Sequence, residues 1–182
     1  MKQRWIILDR DGVINQDSDD YVKSLDEFIL IPGSVTAIAK LCQAGFKVVI
    51  ATNQSGIARG YSDLVTLQAM HTKLADELAQ LGGEITDIAF CPHGPDDGCE
   101  CRKPKPGMYQ ALAKRHGFDL QGVPVIGDSL RDLQAAQQVS AQPILVRTGK
   151  GLRTLAKAEG LAGIPVYDDL AAAVEALLAE EK

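Results

Sequence analysis

Carboxylates recur just past the apolar runs of this chain, at positions where a structural protein would rarely place them. Trp5–Leu8 leads straight into Asp9-Arg10-Asp11-Gly12-Val13. Two aspartates at i, i+2 beside a buried strand are costly unless their charge is compensated. A turn with Asp11-Gly12 at its left-handed position is the structural alternative. Phe46–Ala51 (FKVVIA) ends in Thr52-Asn53-Gln54-Ser55-Gly56. These hydroxyls and amides suit phosphate oxygens, or form an ordinary polar loop. Val123–Ile126 leads into Gly127-Asp128-Ser129-Leu130-Arg131-Asp132. Ser129 and Asp132 have capping-box spacing, which accounts for Asp132 structurally. Asp128 has no such account. Lys103 and Lys105 supply cations ahead of another helix.

The most specific local pattern is Cys91-x-His93-x5-Cys99-x-Cys101. Three thiolates and one imidazole make a closed tetrahedral zinc set, with no adjacent base, so the expected role is structural. The loop is too compact for a nucleic-acid-reading finger, which needs an intervening helix. Cys42 is expected to be a buried small hydrophobe. His71 and His116 lie on helical patterns apart from every motif and read as ordinary helix residues.

The elements that must position these residues alternate between strand-like runs and helical patterns, the mark of a parallel α/β sheet. After Trp5–Leu8, Ser34 is placed to cap a helix running to about Ala44. Phe46–Ala51 is the second strand. Ser62 with Asp63 starts a helix carrying Leu64, Leu67, Met70, Leu74, Leu78 and Leu81 on one face. Ile85–Phe90 reads as a strand and Gly107–His116 as a helix. Val123–Ile126 is a strand, Leu130–Val139 a helix, Pro143–Val146 a strand and Leu170–Ala179 the last helix. The expected architecture is one doubly wound, Rossmann-like parallel sheet in a single domain spanning 1–182. In such sheets ligands bind at the carboxyl ends of the strands, where every motif above falls.

The 182 residues carry 46% hydrophobic side chains, enough for a real core, and a formal net charge of -5. The acidic balance argues against a nucleic-acid partner. No apolar run is long enough to span a bilayer, and the N-terminus lacks the long apolar stretch of a signal peptide. A cytoplasmic, reducing location with no membrane partner follows as the expectation. In that compartment clustered cysteines read as metal ligands before disulfides.

Two aspartates, a threonine, a lysine and an aspartate on successive strand ends resemble the haloacid dehalogenase superfamily of phosphohydrolases. The resemblance covers the whole chain. Cys101-Arg102-Lys103-Pro104-Lys105-Pro106-Gly107-Met108 resembles the signature of its histidinol-phosphatase-like, zinc-loop branch, with the loop inserted at 91–103. The resemblance implies Asp9 as nucleophile, Asp11 as general acid and then base, and Thr52 with Lys103 as stabilisers of the phosphoryl group. It implies Mg²⁺ on Asp9, Asp11 (through its backbone carbonyl) and Asp128, and structural Zn²⁺ on Cys91, His93, Cys99 and Cys101. Lys105 takes the variable position and should be solvated.

Asn15–Lys23 resembles a substrate-contacting loop, with Asp17, Asp19 and Asp20 able to bond sugar hydroxyls, or else simply solvated. Arg10, Asn53, Gln54, Ser55 and Arg102 complete the expected substrate contacts. The implied activity is removal of the C7 phosphate of a heptose 1,7-bisphosphate, on the route to lipopolysaccharide. No large cap domain fits in this length, so the site should be open; a monomer is the expected state. The alternatives are a histidinol-phosphate phosphatase or another small sugar-phosphate phosphatase. A polynucleotide 3′-phosphatase is disfavoured by the acidic charge. Outside the enzymes stand a phospho-receiver, which needs its acceptor Asp after a middle strand, and a zinc-stabilised binding module.

Overall fold

The computed structural model describes residues 2–157 and 159–181. Six strands and six helices follow one another as β1 (Arg4–Leu8), α1 (Ser34–Gln43), β2 (Phe46–Asn53), α2 (Leu64–Ala79), β3 (Asp87–Cys91), α3 (Gly107–His116), β4 (Pro124–Gly127), α4 (Leu130–Gln138), β5 (Gln142–Val146), α5 (Gly151–Lys157), β6 (Val166–Tyr167) and α6 (Leu170–Ala179). Each strand returns through a helix, so every pairing is parallel. The sheet order is β3-β2-β1-β4-β5-β6.

Strand side chains alternate between two cores, as a period of two requires. Ile6, Leu8, Val48, Ile50, Ile126 and Ile144 pack against α1, α2 and α6. Ile7, Val49, Ala51, Val125 and Ala89 face the other way, onto α3 and α4. Ile7 is 0% exposed at the sheet centre. Truncating it to alanine would cost about 2–5 kcal/mol.

The strand order reverses between β1 and β4, which pair through Ile7↔Val125 and Leu8↔Ile126. The chain leaves these two strands in opposite directions, and a crevice opens at their carboxyl ends. Asp9 follows one of them and Asp128 the other.

Several local expectations are corrected. Ser34 does not cap α1: Gly33 takes the cap position at φ 85, while the Ser34 hydroxyl donates to the Ile14 carbonyl at 2.8 Å. Asp63 caps α2, accepting from the Thr66 amide. Leu64 and Leu81 are exposed rather than core-facing. β3 lies later than Ile85–Phe90, and Cys42 is only half-buried. α5 and β6 were not expected; they are too short and too mixed in composition to leave a periodic signal.

Candidate active site

β1 delivers Asp9 into the crevice, with its amide still paired to the Ile126 carbonyl at 2.9 Å. Lys103 reaches the same point from the loop after β3 and is 2% exposed. Its ammonium donates to Asp9 Oδ1 (3.1 Å), Asp132 Oδ1 (2.6 Å) and the Ala51 carbonyl (2.8 Å), which uses all three protons. Burial alone would lower Lys103, but Asp132 and Asp9 outweigh it and hold the ammonium above the usual lysine range. Asn53, the last residue of β2, fixes the lysine's backbone reciprocally. Its Oδ1 accepts from the Lys103 amide (3.0 Å) and its Nδ2 donates to the Lys103 carbonyl (3.2 Å).

The expectation that Asp132 serves only as a cap is incomplete. Its Oδ2 does close the capping box with Ser129, yet its Oδ1 carries the lysine. Capping-box spacing concealed a second role that only long-range folding reveals. Asp128 lies where β4 ends, with Oδ2 accepting from the Lys150 amide at 2.9 Å. Gly12 and Gly149 stand against it at φ 85 and φ 59. A Cβ on either would run into the Asp128 carboxylate, so these positions require glycine twice over.

Asp9 and Asp128 are short of positive charge. Burial, then Asp132, pushes Asp9 up to about 7 despite the nearby lysine. Burial, then Asp9 and Asp132, pushes Asp128 up to about 9. Oxygens of Asp9, Asp128 and Asp132 lie within 4.8 Å of one another. Asp132 is already spent on Lys103 and Ser129, which leaves Asp9 and Asp128. A hard divalent cation fits such a donor set.

Asp11 lines the same cavity, but its carboxylate is taken up by other partners. Its Oδ1 accepts from Arg10 Nη2 (2.7 Å), Arg10 Nε (3.0 Å) and Asn15 (2.8 Å), and its Oδ2 from Gln54 Nε2 (2.9 Å). Burial would raise the carboxyl, but the Arg10 guanidinium and these hydrogen bonds hold it below the usual range. The carboxylate is thus not open to the ion. The Asp11 carbonyl accepts no hydrogen bond among the described residues, and so is the group left to serve one.

Arg10 corrects the expectation of a substrate contact. It is 0% exposed and its guanidinium lies over the Phe28 ring at 5.1 Å, away from the cavity. Arg10 Nη1 lies 3.3 Å from His71 Nε2. His71 therefore backs the aspartate motif instead of standing apart from it. Burial, then the Arg10 charge, lowers its imidazole to about 4. His116 is an ordinary helix residue in part only, since it bonds Asp87 at 2.7 Å and packs on Trp5.

Asp17, Asp19, Asn53, Gln54, Ser55, Arg102 and Lys103 all line one cavity with Asp9, Asp11 and Asp128. Thr52 is buried behind it (1% exposed), its hydroxyl accepting from Gln54 at 2.9 Å. Asp20 lies outside the lining. Asp17 pairs with Lys150 (3.5 Å) and Asp19 with Arg153 (2.9 Å), so both acids tie the 15–23 loop to the start of α5. Sequence reasoning missed Tyr21, Arg131 and Lys150, all on the cavity wall. Lys150 follows from the unforeseen α5. Arg131 left a signal: a cation in the first turn of α4 opposes the helix dipole. Burial, then Arg131, lowers the neighbouring Arg102.

Cys91, His93, Cys99 and Cys101 converge beside the cavity. Cys91 Sγ lies 3.7 Å from Cys99 Sγ and 3.5 Å from His93 Nδ1. A tetrahedral zinc at ordinary bond lengths sets sulfur–sulfur edges of about 3.8 Å; the Cys91–Cys99 edge matches it, the Cys91–Cys101 edge is shorter at 3.0 Å, and the donor set has the right chemistry. Arg102 Nη1 donates to the His93 carbonyl at 3.4 Å, tying the guanidinium to this loop. Lys105 is exposed and bonds the Cys99 carbonyl, away from the cavity.

Among known proteins, a family model described as Polynucleotide kinase 3 phosphatase matches residues 6–129, and one described as HAD-hydrolase-like matches 100–173. The D-glycero-beta-D-manno-heptose-1,7-bisphosphate 7-phosphatase of Pseudomonas aeruginosa is 58% identical over 98% of this chain and 99% of its own length. Its Bordetella bronchiseptica counterpart is 60% identical over 97% and 99%. A crystal structure of D,D-heptose 1,7-bisphosphate phosphatase from B. bronchiseptica, complexed with magnesium and phosphate, superposes with a TM-score of 0.95 at 59% identity, over 97% of this chain and 99% of that one. This chain belongs to the D-glycero-β-D-manno-heptose-1,7-bisphosphate 7-phosphatase family of haloacid-dehalogenase-like hydrolases.

Proposed function

We propose that this protein removes the C7 phosphate from D-glycero-β-D-manno-heptose 1,7-bisphosphate through a phosphorylated Asp9. The observation that carries the reading is the buried Lys103 ammonium, locked by Asp132 and set 3.1 Å from Asp9 at the strand-order reversal. A lysine so committed has no freedom to act as a nucleophile. It serves as fixed positive charge beside the transferring group. Relatives of the same length, named for this substrate, support the choice among sugar phosphates.

An Asp9 carboxylate oxygen attacks phosphorus, and the bond between phosphorus and the C7 oxygen breaks. Asp11 gives its proton to that departing oxygen. In the free protein its low proton affinity keeps it ionised. An incoming phosphate dianion raises it for the earlier role of acid. Water then loses a proton to Asp11 and attacks phosphorus. The bond to Asp9 breaks, and inorganic phosphate leaves. Magnesium, held by Asp9, Asp128 and the Asp11 carbonyl, supplies charge that keeps Asp9 ionised and offsets the crowded oxygens.

Thr52 donates to the phosphoryl oxygens. Asn53 and Gln54 act mainly by positioning Lys103 and Asp11, while Ser55, Asp17 and Asp19 border the sugar. Arg102 grips the second phosphate. The cysteine–histidine cluster binds zinc and holds Arg102 and Lys103 in place. We read 1–182 as one domain acting as a cytoplasmic monomer in lipopolysaccharide assembly. No helix among the described residues is long and apolar enough to cross a membrane.

Phosphate release from heptose bisphosphate, fructose bisphosphate and histidinol phosphate, each with Mg²⁺, tests the reading. The heptose substrate should exceed histidinol phosphate in kcat/KM by at least about two orders of magnitude, a loss of roughly 2.7 kcal/mol of selective binding. A preference for histidinol phosphate would replace it with the alternative enzyme.

A further inference from the structure

We infer that Arg131 is a specificity-determining residue, holding the second, non-reacting phosphate of the substrate jointly with Arg102. The inference rests on the bisphosphate reading above and begins from the cavity's charges. Among its cations, Lys103 is matched by Asp9 and Asp132, Lys150 by Asp17, and Lys23 by Glu27. Asp11 is satisfied by the buried Arg10, and Asp19 by Arg153. Arg102 and Arg131 line the same cavity, and neither has an acidic partner among the described residues.

Both are half-buried, so water screens them incompletely and they repel one another. Arg131 is in addition the second residue of α4, at the end where the dipole is already positive. Three unfavourable terms at one place are relieved together by an anion. Phosphate oxygens match the guanidinium fork and would accept from both arginines.

The placement also fits. Arg102 precedes Lys103, Arg131 precedes Asp132, and those two neighbours are joined by the 2.6 Å ion pair. The two guanidiniums thus hang from backbone segments that are clamped together beside the reacting centre. A second phosphate at that wall distinguishes a bisphosphate from a simple monophosphate without assistance from a cap.

The test compares wild type with Arg131→Gln and Arg131→Lys on heptose 1,7-bisphosphate and on p-nitrophenyl phosphate. The ratio of the two kcat/KM values should fall on the order of 10- to 100-fold in Arg131→Gln, with the loss concentrated in KM. Arg131→Lys, which keeps the charge but not the fork, should fall between. Heptose 1-phosphate, the product retaining that phosphate, should inhibit p-nitrophenyl phosphate hydrolysis more weakly by a similar factor. The ligand-free Arg131→Gln protein should melt at or above the wild-type temperature, since repulsion has been removed.

Equal losses on both substrates, unchanged product inhibition or a lowered melting temperature would overturn the assignment and make Arg131 structural. Wild type active on p-nitrophenyl phosphate but not on the bisphosphate would instead sink the function above. Product inhibition would still decide Arg131 in that case.

Discussion

Single side chains in this site are governed by who neutralises whom. Arg10 shows it best, because it was expected to contact substrate, whereas folding turns it inward onto Phe28 and His71. A sequence states that an arginine is present; which side of a turn it takes depends on contacts made sixty residues away. Asp9 and Asp11, which a turn could also explain, were legible only within the whole set of motifs, whereas Asp128 was legible alone, as a carboxylate ending an apolar strand with no structural account. Asp132 was not, since a cap explained it fully. His71 offers a measurable consequence. Its imidazole titrates near 6.5 when unfolded and at about 4 when folded, with burial as the first cause. Between those values the unfolded chain binds the extra proton, so stability falls as pH drops through that window. Wild type should lose about 2 kcal/mol relative to His71→Gln when urea denaturation is moved from pH 7.5 to pH 5. Parallel losses in the two proteins would mean that the imidazole is not held neutral.

At the scale of elements, buried strands and amphipathic helices were readable and short, mixed ones were not. Phe46–Ala51 announces itself through an unbroken apolar run, and Leu170–Ala179 matches α6 residue for residue. α5 and β6 are set by tertiary contact instead. The Thr154 hydroxyl bonds the Asp128 carbonyl at 2.9 Å, and β6 pairs with β5 over only two residues. Missing α5 meant missing Lys150 and the partners of Asp17 and Asp19. The cysteine–histidine loop is the reverse case, since spacing alone singled out four candidate ligands and the fold brings all four together. Purified protein should contain one zinc per chain by elemental analysis. Cys99→Ser should cost several kcal/mol of stability, as loss of a structural site does. A metal-free protein of full stability would refute the zinc assignment.

For the whole molecule, the sheet order explains why residues more than a hundred positions apart form one centre. Reversal between β1 and β4 brings Asp9 and Asp128 together, β2 and the loop after it supply Thr52 through Ser55, and the loop after β3 returns Lys103 across the top. Among the described residues no separate cap covers the centre; the 15–23 loop, the cysteine–histidine loop and the start of α4 border it. The central claim is that Asp9 becomes phosphorylated. Rapid acid quench of the protein turning over a 32P-labelled sugar bisphosphate, followed by peptide mapping, tests it directly. The label should be acid-stable, released by hydroxylamine, confined to the peptide containing Asp9 and absent from Asp9→Asn. Label on any other residue, or turnover persisting in Asp9→Asn, would contradict the account.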